Sequence, residues 1–269
     1  MLGSSRESLT ALRASLDARR GDEGFASVSG DLLAVASVLG GEKTLRQTLA
    51  DSGQPVELRA GILTSLLAGK VAAPSLAVLT DVVSSRWSND ADLVDAVEQL
   101  GAQAAFTVAE TDGTLDRVED ELFTFGRAVD DSPELQLALT DPSVPAARKG
   151  DLVRDLVGGT ASPVSTDLLA HAAGNLRGRR PAAAVEELAR LASDQRRQVL
   201  AEVRSAIDLD ADQRSRLGAA LTRLQGRQVR VNVIVDPEVV GGIVVRVGDD
   251  VIDGSVSSRL EQARRALSA

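Results

Sequence analysis

An internal repeat constrains this chain more than any other feature. Displaced by 90 positions, the sequence falls back on itself: Leu45 on Leu135, Leu49 on Leu139, Asp51 on Asp141, Pro55 on Pro145, Leu66 on Leu156, Gly69 on Gly159, Ser75 on Ser165 and Leu79 on Leu169. Past one inserted residue the displacement becomes 91, and Arg86 meets Arg177, Val94 meets Val185, Leu100 meets Leu191 and Val108 meets Val199. The matches fall on apolar positions and turn residues, in one order with one shift, as a duplicated fold requires.

Each copy is written as short helices. Leu115, Val118, Leu122, Phe125 and Val129 are spaced 3, 4, 3, 4, which gives one apolar stripe with charges between. Leu9, Leu12 and Leu16 repeat the pattern in the first helix. Ser132-Pro133 and Ser162-Pro163 each place a capping hydroxyl before a proline at the first helical position. Pro55 and Pro145 start the equivalent helix of each copy, and Gly69 and Gly159 sit just past it, where a left-handed residue is expected. The spacing predicts helices over about 5–20, 29–39, 42–51, 55–68, 74–87 and 91–110, then 114–130, 133–140, 145–157, 163–176 and 181–197.

The last 70 or so residues change character. Residues 199–207 alternate loosely, as a strand does. Asp210 caps a helix carrying Leu217, Leu221 and Leu224, with Gln213 placed for a capping box and Gly226 at its end. Val229, Val231, Val233 and Val235 alternate through a clear strand that Pro237 stops. Gly241-Gly242 leads into a strand over 243–247, and Gly248-Asp249-Asp250 turns the chain into Val251-Ile252. Asp253-Gly254-Ser255 then opens a final helix with Val256, Leu260, Ala263 and Leu267 on one face. The fold class is mostly α: two tandem helical-bundle copies, 1–112 and 113–198, followed by a small C-terminal α/β domain over 199–269.

Composition excludes several functions. Aromatics make up only 2% of the chain (Phe25, Trp87, Phe106, Phe123 and Phe125), so the cores rest on Leu, Val and Ala, and no base-stacking surface is available. The net charge of −9 argues against a nucleic-acid partner, which needs a positive field. It is carried by residues 1–198, with 20 basic and 29 acidic groups, while 199–269 balances 10 against 10. With no cysteine and one histidine, His171, thiolate chemistry and multi-histidine metal sites are absent. No apolar run approaches a membrane span and the start lacks a signal-peptide core, so a cytoplasmic protein without direct membrane insertion is expected.

No motif asks for catalysis, a cofactor or a metal. Asp208, Asp210 and Asp212 open like a calcium loop, but Gln213 and Ala219 stand where it needs Gly and Glu, so helix capping is the better reading. Gly241-Gly242 lacks the helix and the Lys of a phosphate loop and reads as backbone geometry. Arg177, Arg179 and Arg180 read as a solvated knot or a contact to an acidic partner, and His171 as a structural histidine. The apolar helix faces remain. Leu9, Leu12 and Leu16, together with Val78, Leu79, Val82 and Val83 and their counterparts Leu168 and Leu169, are candidate walls of a groove that takes a partner helix.

The stretch from Val229 to Gly248 resembles the delta subunit family of F-type ATP synthases, which includes the oligomycin-sensitivity-conferring subunit. It carries alternating apolar positions, Asp236, then Gly241-Gly242, a short apolar strand, Arg246 and Gly248. The continuation through Asp253, Gly254, Arg259 and Leu260 is similar to the family's approach to its last helix. A usual member has one N-terminal bundle; the longer chain resembles actinobacterial forms, and 27 Arg against 3 Lys fits a GC-rich genome. The resemblance implies a non-catalytic stator subunit, peripheral on the cytoplasmic face of the cell membrane. Its partners would be the N-termini of the alpha subunits and the C-terminal ends of the b subunits. The second bundle, a departure from the usual family member, is expected to lengthen the clamp and offer a second groove, for another alpha N-terminus or for a b-type helix. The competing readings are a helical-repeat adaptor unrelated to ATP synthase, which has no reason to carry the Val229–Gly248 pattern, and a carboxylate hydrolase or transferase, which needs a perturbed pair in a cleft.

Overall fold

The computed structural model describes residues 3–197, 199–225, 229–237, 239, 241–247 and 250–254. The helices run α1 (Ser4–Ala18), α2 (Val28–Gly41, after a 3-10 turn at Phe25–Ser27), α3 (Lys43–Ala50), α4 (Val56–Leu67), α5 (Ala73–Ser84) and α6 (Asp90–Thr111). They continue with α7 (Leu115–Asp130), α8 (Pro133–Thr140), α9 (Ala146–Val157), α10 (Pro163–Gly174) and α11 (Pro181–Arg197). After these come β1 (Val199–Ser205), α12 (Ala211–Gln225), β2 (Val229–Val235), β3 (Ile243–Val247) and β4 (Asp250–Asp253). The chain forms two compact units, Met1–Gln195 and Arg196–Ala269.

The helical unit holds two apolar cores. One gathers Leu16, Leu32, Leu49, Leu63, Leu79 and Leu100; the other gathers Phe106, Leu122, Leu139, Val153, Leu169 and Val185. The repeat survives as buried pairs: Leu32 with Leu122, Leu49 with Leu139, Leu63 with Val153 and Leu79 with Leu169 are each at most 2% exposed. Helix α6 serves both cores. Leu93, Val97 and Leu100 enter the first, while Ala102, Ala105, Phe106 and Ala109 enter the second. Phe106 lies 90 positions after Leu16 and Ala102 lies 90 after Leu12, so the back half of α6 is to the second core what α1 is to the first.

Local chemistry sets the helix starts. The hydroxyl of Ser132 accepts from the backbone N–H of Leu135, and that of Ser162 from Ser165, each at 3.2 Å, with proline at the first helical position. Pro55 and Pro145 stand as the residues just before α4 and α9. A second device is repeated with them. Asp31 of α2 accepts from the Ala72 N–H at 2.9 Å and the Ser75 hydroxyl at 2.6 Å. Ninety positions on, Glu121 of α7 accepts from the Ser162 N–H at 2.9 Å and its hydroxyl at 2.7 Å. In each copy a carboxylate on the second helix thus ties down the N-terminus of the fifth, where the helix dipole favours it.

Two expectations fail here. Gly69 is left-handed, with φ of 73°, but Gly159 is not. In the second copy Gly158 stays right-handed after α9, and the N–H groups of Thr160 and Ala161 close the turn on the Val157 carbonyl. The match of Val108 to Val199 also breaks down. Val108 lies inside α6, whereas α11 ends at Arg197 and Val199 opens β1.

The second unit is a four-stranded sheet in the order β2-β1-β3-β4. Strands β1 and β2 pair in parallel, Val203 opposite Val233; β1 with β3 and β3 with β4 pair antiparallel. A parallel pair needs a crossover, and α12 supplies it. Its Leu221 packs with Ala201, Val203, Val229, Val245 and Val247. The capping box stands as spaced: Asp210 N–H donates to Gln213 Oε1 at 3.0 Å, and Gln213 N–H to Asp210 Oδ1 at 2.7 Å. Gly226 and the helix expected after Gly254, with Val256, Leu260, Ala263 and Leu267, lie outside the described residues.

Candidate functional site

The nominated groove residues are core residues. Leu9, Leu12 and Leu16 on α1, Val78, Leu79, Val82 and Val83 on α5, and Leu168 and Leu169 on α10 are all between 0 and 8% exposed. A stripe spaced 3 and 4 along a helix is buried by whichever neighbour it first meets, and here the neighbour is the rest of the bundle. The seam between α1 and α5 is closed by polar groups. Ser15 donates to Asp81 at 2.7 Å, Arg19 pairs with Asp81 at 3.0 Å, and the Ser8 hydroxyl donates to the Arg86 carbonyl at 2.8 Å. The leucines and valines form the floor beneath this seam and not an open wall.

The equivalent seam of the second copy runs between the back half of α6 and α10. It is covered from within the chain. Leu33 of α2 belongs to the second core, together with Ala102, Ala105 and Leu168. Helices α2 and α6 meet at Gly101, where a Cβ would stand 3.0 Å from the Leu33 side chain. Beside this crossing a cleft of about 310 Å³ is lined by Leu33, Ala102, Leu168, Ala172, Ala184 and Leu191. Small residues open it: Ala102 and Ala184 stand where the first copy has Leu12 and Leu93.

Glu98 of α6 marks the polar rim. It faces Arg179 at 3.1 Å, Arg177, and His171 at 3.4 Å, and Arg177 also reaches Asp95 at 2.6 Å. The Ser37 hydroxyl of α2 lies 3.4 Å from the other ring nitrogen of His171. Burial pushes the Glu98 carboxyl up, but the His171 hydrogen bond and the Arg177 and Arg179 charges outweigh it and hold the group below its ordinary range. Arg177, Arg179 and Arg180 are all exposed, as a solvated loop would be, but Arg177 and Arg179 also meet acids of their own chain. The sequence did offer one signal for this: Asp95 and Glu98 lie on one helix face, three apart.

The tail residues hold the end of the sheet. Asp236 N–H donates to the Ser205 carbonyl at 2.8 Å, and its carboxylate lies 3.7 Å from Arg204. Gly241 and Gly242 both take left-handed conformations, φ 72° and 76°, before β3. Arg246 is exposed on β3, opposite Glu202 of β1. Asp253 pairs with Val244, and Gly254 N–H donates to the Ile243 carbonyl at 3.0 Å. Gly248, Arg259 and Leu260 lie outside the described residues. Asp208 accepts from Arg214 at 2.5 Å, and among the described residues no group of three or more His, Cys, Asp or Glu is placed to hold a metal. No single described helix is long and apolar enough to cross a membrane.

Comparison with known proteins agrees with the tail. The ATP synthase subunit delta of Parafrankia sp. (strain EAN1pec) is 44% identical, with 99% of each chain covered. That of Streptomyces griseus subsp. griseus is 43% identical, again with 99% of each chain covered. A cryo-EM structure of the Toxoplasma gondii mitochondrial ATP synthase hexamer contains a chain 31% identical, matched over 62% of this chain and 95% of that one, with a TM-score of 0.27. The family described as ATP synthase delta (OSCP) subunit matches residues 97–267, a span that opens inside α6. The chain belongs to the ATP synthase delta (OSCP) subunit family.

Proposed function

We propose that this chain is a non-catalytic stator subunit of an F-type ATP synthase, which holds the alpha/beta catalytic head to the b subunits of the peripheral stalk. Rotary coupling needs the head held still while the shaft turns, and that task asks for stiff joints and no chemistry. The observation that carries the reading is the match to delta subunits along 99% of the chain, together with the family's own match over 97–267, which takes in the tail. Within the complex the chain sits peripherally on the cytoplasmic face of the cell membrane.

The residues 1–112, 113–198 and 199–269 act in this reading as two bundle copies and a tail. The family match begins at residue 97, so the second copy with the tail corresponds to the family's matched span, and the first copy is the addition. In the second copy the seam of α6 and α10 is already occupied by α2 through Leu33. That leaves the α1–α5 seam of the first copy to receive the N-terminal helix of an alpha subunit. Helix α2 lying on the second seam is the intramolecular precedent for a helix lying on the first. Leu12, Val78 and Val82 lie beneath the closed seam, 0–3% exposed, so docking parts the Ser15–Asp81 and Arg19–Asp81 contacts and uncovers them. The α/β unit meets the b-subunit ends.

Calorimetric titration of the full chain with a peptide of the alpha N-terminus from the same organism tests the seam. Saturable binding with a negative heat-capacity change is expected, because apolar area is buried. Ser15→Trp, which fills the seam, abolishes it. Binding of equal strength in Ser15→Trp would show that the alpha helix docks elsewhere.

A further inference from the structure

The repeat pairs an internal joint with an exposed face. In the first copy, one stripe of α2 (Ser29, Gly30, Leu33, Ser37 and Gly40) is small and neutral around a single leucine, and that leucine enters the second core. Ninety positions on, α7 carries Glu119, Asp120, Phe123, Arg127 and Asp130, with Asp116 one further turn back. Spacings of 3, 4 and 7 put these six on one helix face. Phe123 takes the place of Leu33 and is 61% exposed, in a chain with only five aromatic residues. An end repeat is ordinarily made soluble by an all-polar outer face. Here the charges are present, and a large aromatic is kept at their centre.

We propose that this face of α7 is a docking surface for a basic amphipathic helix of another subunit of the same complex. The charge complementarity sets the occupant. Asp120 and Asp130, both exposed, flank Phe123, with Asp116 and the half-buried Glu119 on the same face against one arginine, so the partner offers an apolar seat for the ring, flanked by Lys or Arg. The geometry follows the intrachain joint, where Leu33 enters the Ala-rich surface of Ala102, Ala105 and Ala172 next to Leu168. An aromatic anchor enclosed by such contacts supplies most of the affinity, and the charged ring sets register and encounter rate. The surface rests on membership of the complex but not on the α1–α5 seam.

The test is Phe123→p-benzoylphenylalanine in the assembled, coupled synthase, with Ala11→p-benzoylphenylalanine on α1 reporting the seam separately. After irradiation, adducts are located by mass spectrometry. The expected adduct at 123 lies in a helix of another subunit, on an apolar residue with Lys or Arg three or four positions away. Asp120→Lys with Asp130→Lys lowers its yield about fivefold while leaving the adduct at 11 unchanged. No adduct at 123 in a coupled complex overturns the proposal, whatever position 11 does. So does an adduct to an acidic or uncharged segment, or a yield that ignores the charge reversal. An adduct at 123 with none at 11 supports the surface and removes the seam instead.

Discussion

Removing the Glu121 carboxylate exposes what the repeated tie between the second and fifth helices contributes. Its two oxygens accept from the Ser162 N–H at 3.0 and 2.9 Å, from the Ser162 hydroxyl at 2.7 Å and from Arg117 at 2.7 Å. Burial pushes this carboxyl up, yet the hydroxyl of Ser165, the N–H and hydroxyl of Ser162, and Arg117 together hold it down at about 2. Its side chain is 16% exposed, so solvent screens these bonds only in part. Hydrogen bonds to an ionised group contribute about 1.5–3 kcal/mol net, and the exposed Arg117 arm adds little, so Glu121→Ala costs roughly 2–3 kcal/mol at pH 7. The folded value is depressed, so this stabilisation is complete above the unfolded carboxylate value, near 4.3, and is lost as pH falls through the folded one. Because the folded value lies far below 4, the loss down to pH 4 depends on the unfolded value alone and is about 0.6 kcal/mol. Urea unfolding followed by far-ultraviolet circular dichroism at pH 7 and pH 4 measures both quantities. The gap between wild type and variant should narrow by that amount on acidification, and the amides opening α10 should exchange faster in the variant. A variant within 0.5 kcal/mol of wild type, or a gap independent of pH, would refute the reasoning.

Three further perturbations test the packing. Gly174→Ala places a Cβ 2.8 Å from the Ala146 backbone oxygen; despite a helix-propensity gain of about 1 kcal/mol, a net loss of roughly 1–2 kcal/mol is expected in thermal unfolding. Glu98→Gln removes the charge facing Arg177 and Arg179 at a side chain only 11% exposed, at a cost of about 1–3 kcal/mol. Its folded value is lowered, so the penalty is full at neutral pH and shrinks as acid titrates the wild-type carboxylate, which paired melts at pH 7 and pH 4 would reveal. Gln103→Pro interrupts α6 where its contributions to the two cores overlap, between Ala102 and Ala104, and costs about 3 kcal/mol or more; calorimetry should then separate the melting of residues on either side, and a single unshifted transition would contradict the shared role of α6.

Much of the architecture was legible because local rules and global packing agree. The 3 and 4 spacing of Leu115 to Val129 placed α7 (Leu115–Asp130), the Ser-Pro pairs opened α8 and α10, and the Asp210–Gln213 spacing gave a real capping box. The groove was not legible, because an apolar stripe that faces a core and one that faces a partner helix have the same spacing; only neighbours decide. The parallel pairing of β1 with β2 leaves no mark in alternation, which fixes faces and not partners. The tie of Asp31 to Ala72 and of Glu121 to Ser162 did leave a trace, a carboxylate 41 positions before each helix start, but its residue type changes between copies. The double duty of α6 was hidden by Ala102 and Ala105, whose small side chains look neutral in a hydrophobic pattern and are what allow Leu33 to approach.

That last substitution explains how a duplicated bundle becomes one body. Two copies joined by a loop would hinge, since the chain between them resists no torque. Here the joint is a helix of 22 residues, about 33 Å long, whose front half is core to the first copy and whose back half serves both, Ala104 entering the first core and Ala102, Ala105, Phe106 and Ala109 the second. Bending at that joint means exposing buried apolar surface at about 25 cal/mol per Å², and α2 crossing at Gly101 with the Glu98, His171, Arg177 and Arg179 contacts resists rotation about the helix axis. Stiffness along α6 and resistance around it are separate mechanical properties, supplied by separate residues. A stator under torque needs both, and in the proposed role the first copy can extend the reach of the second because α2 lies across the seam that joins them.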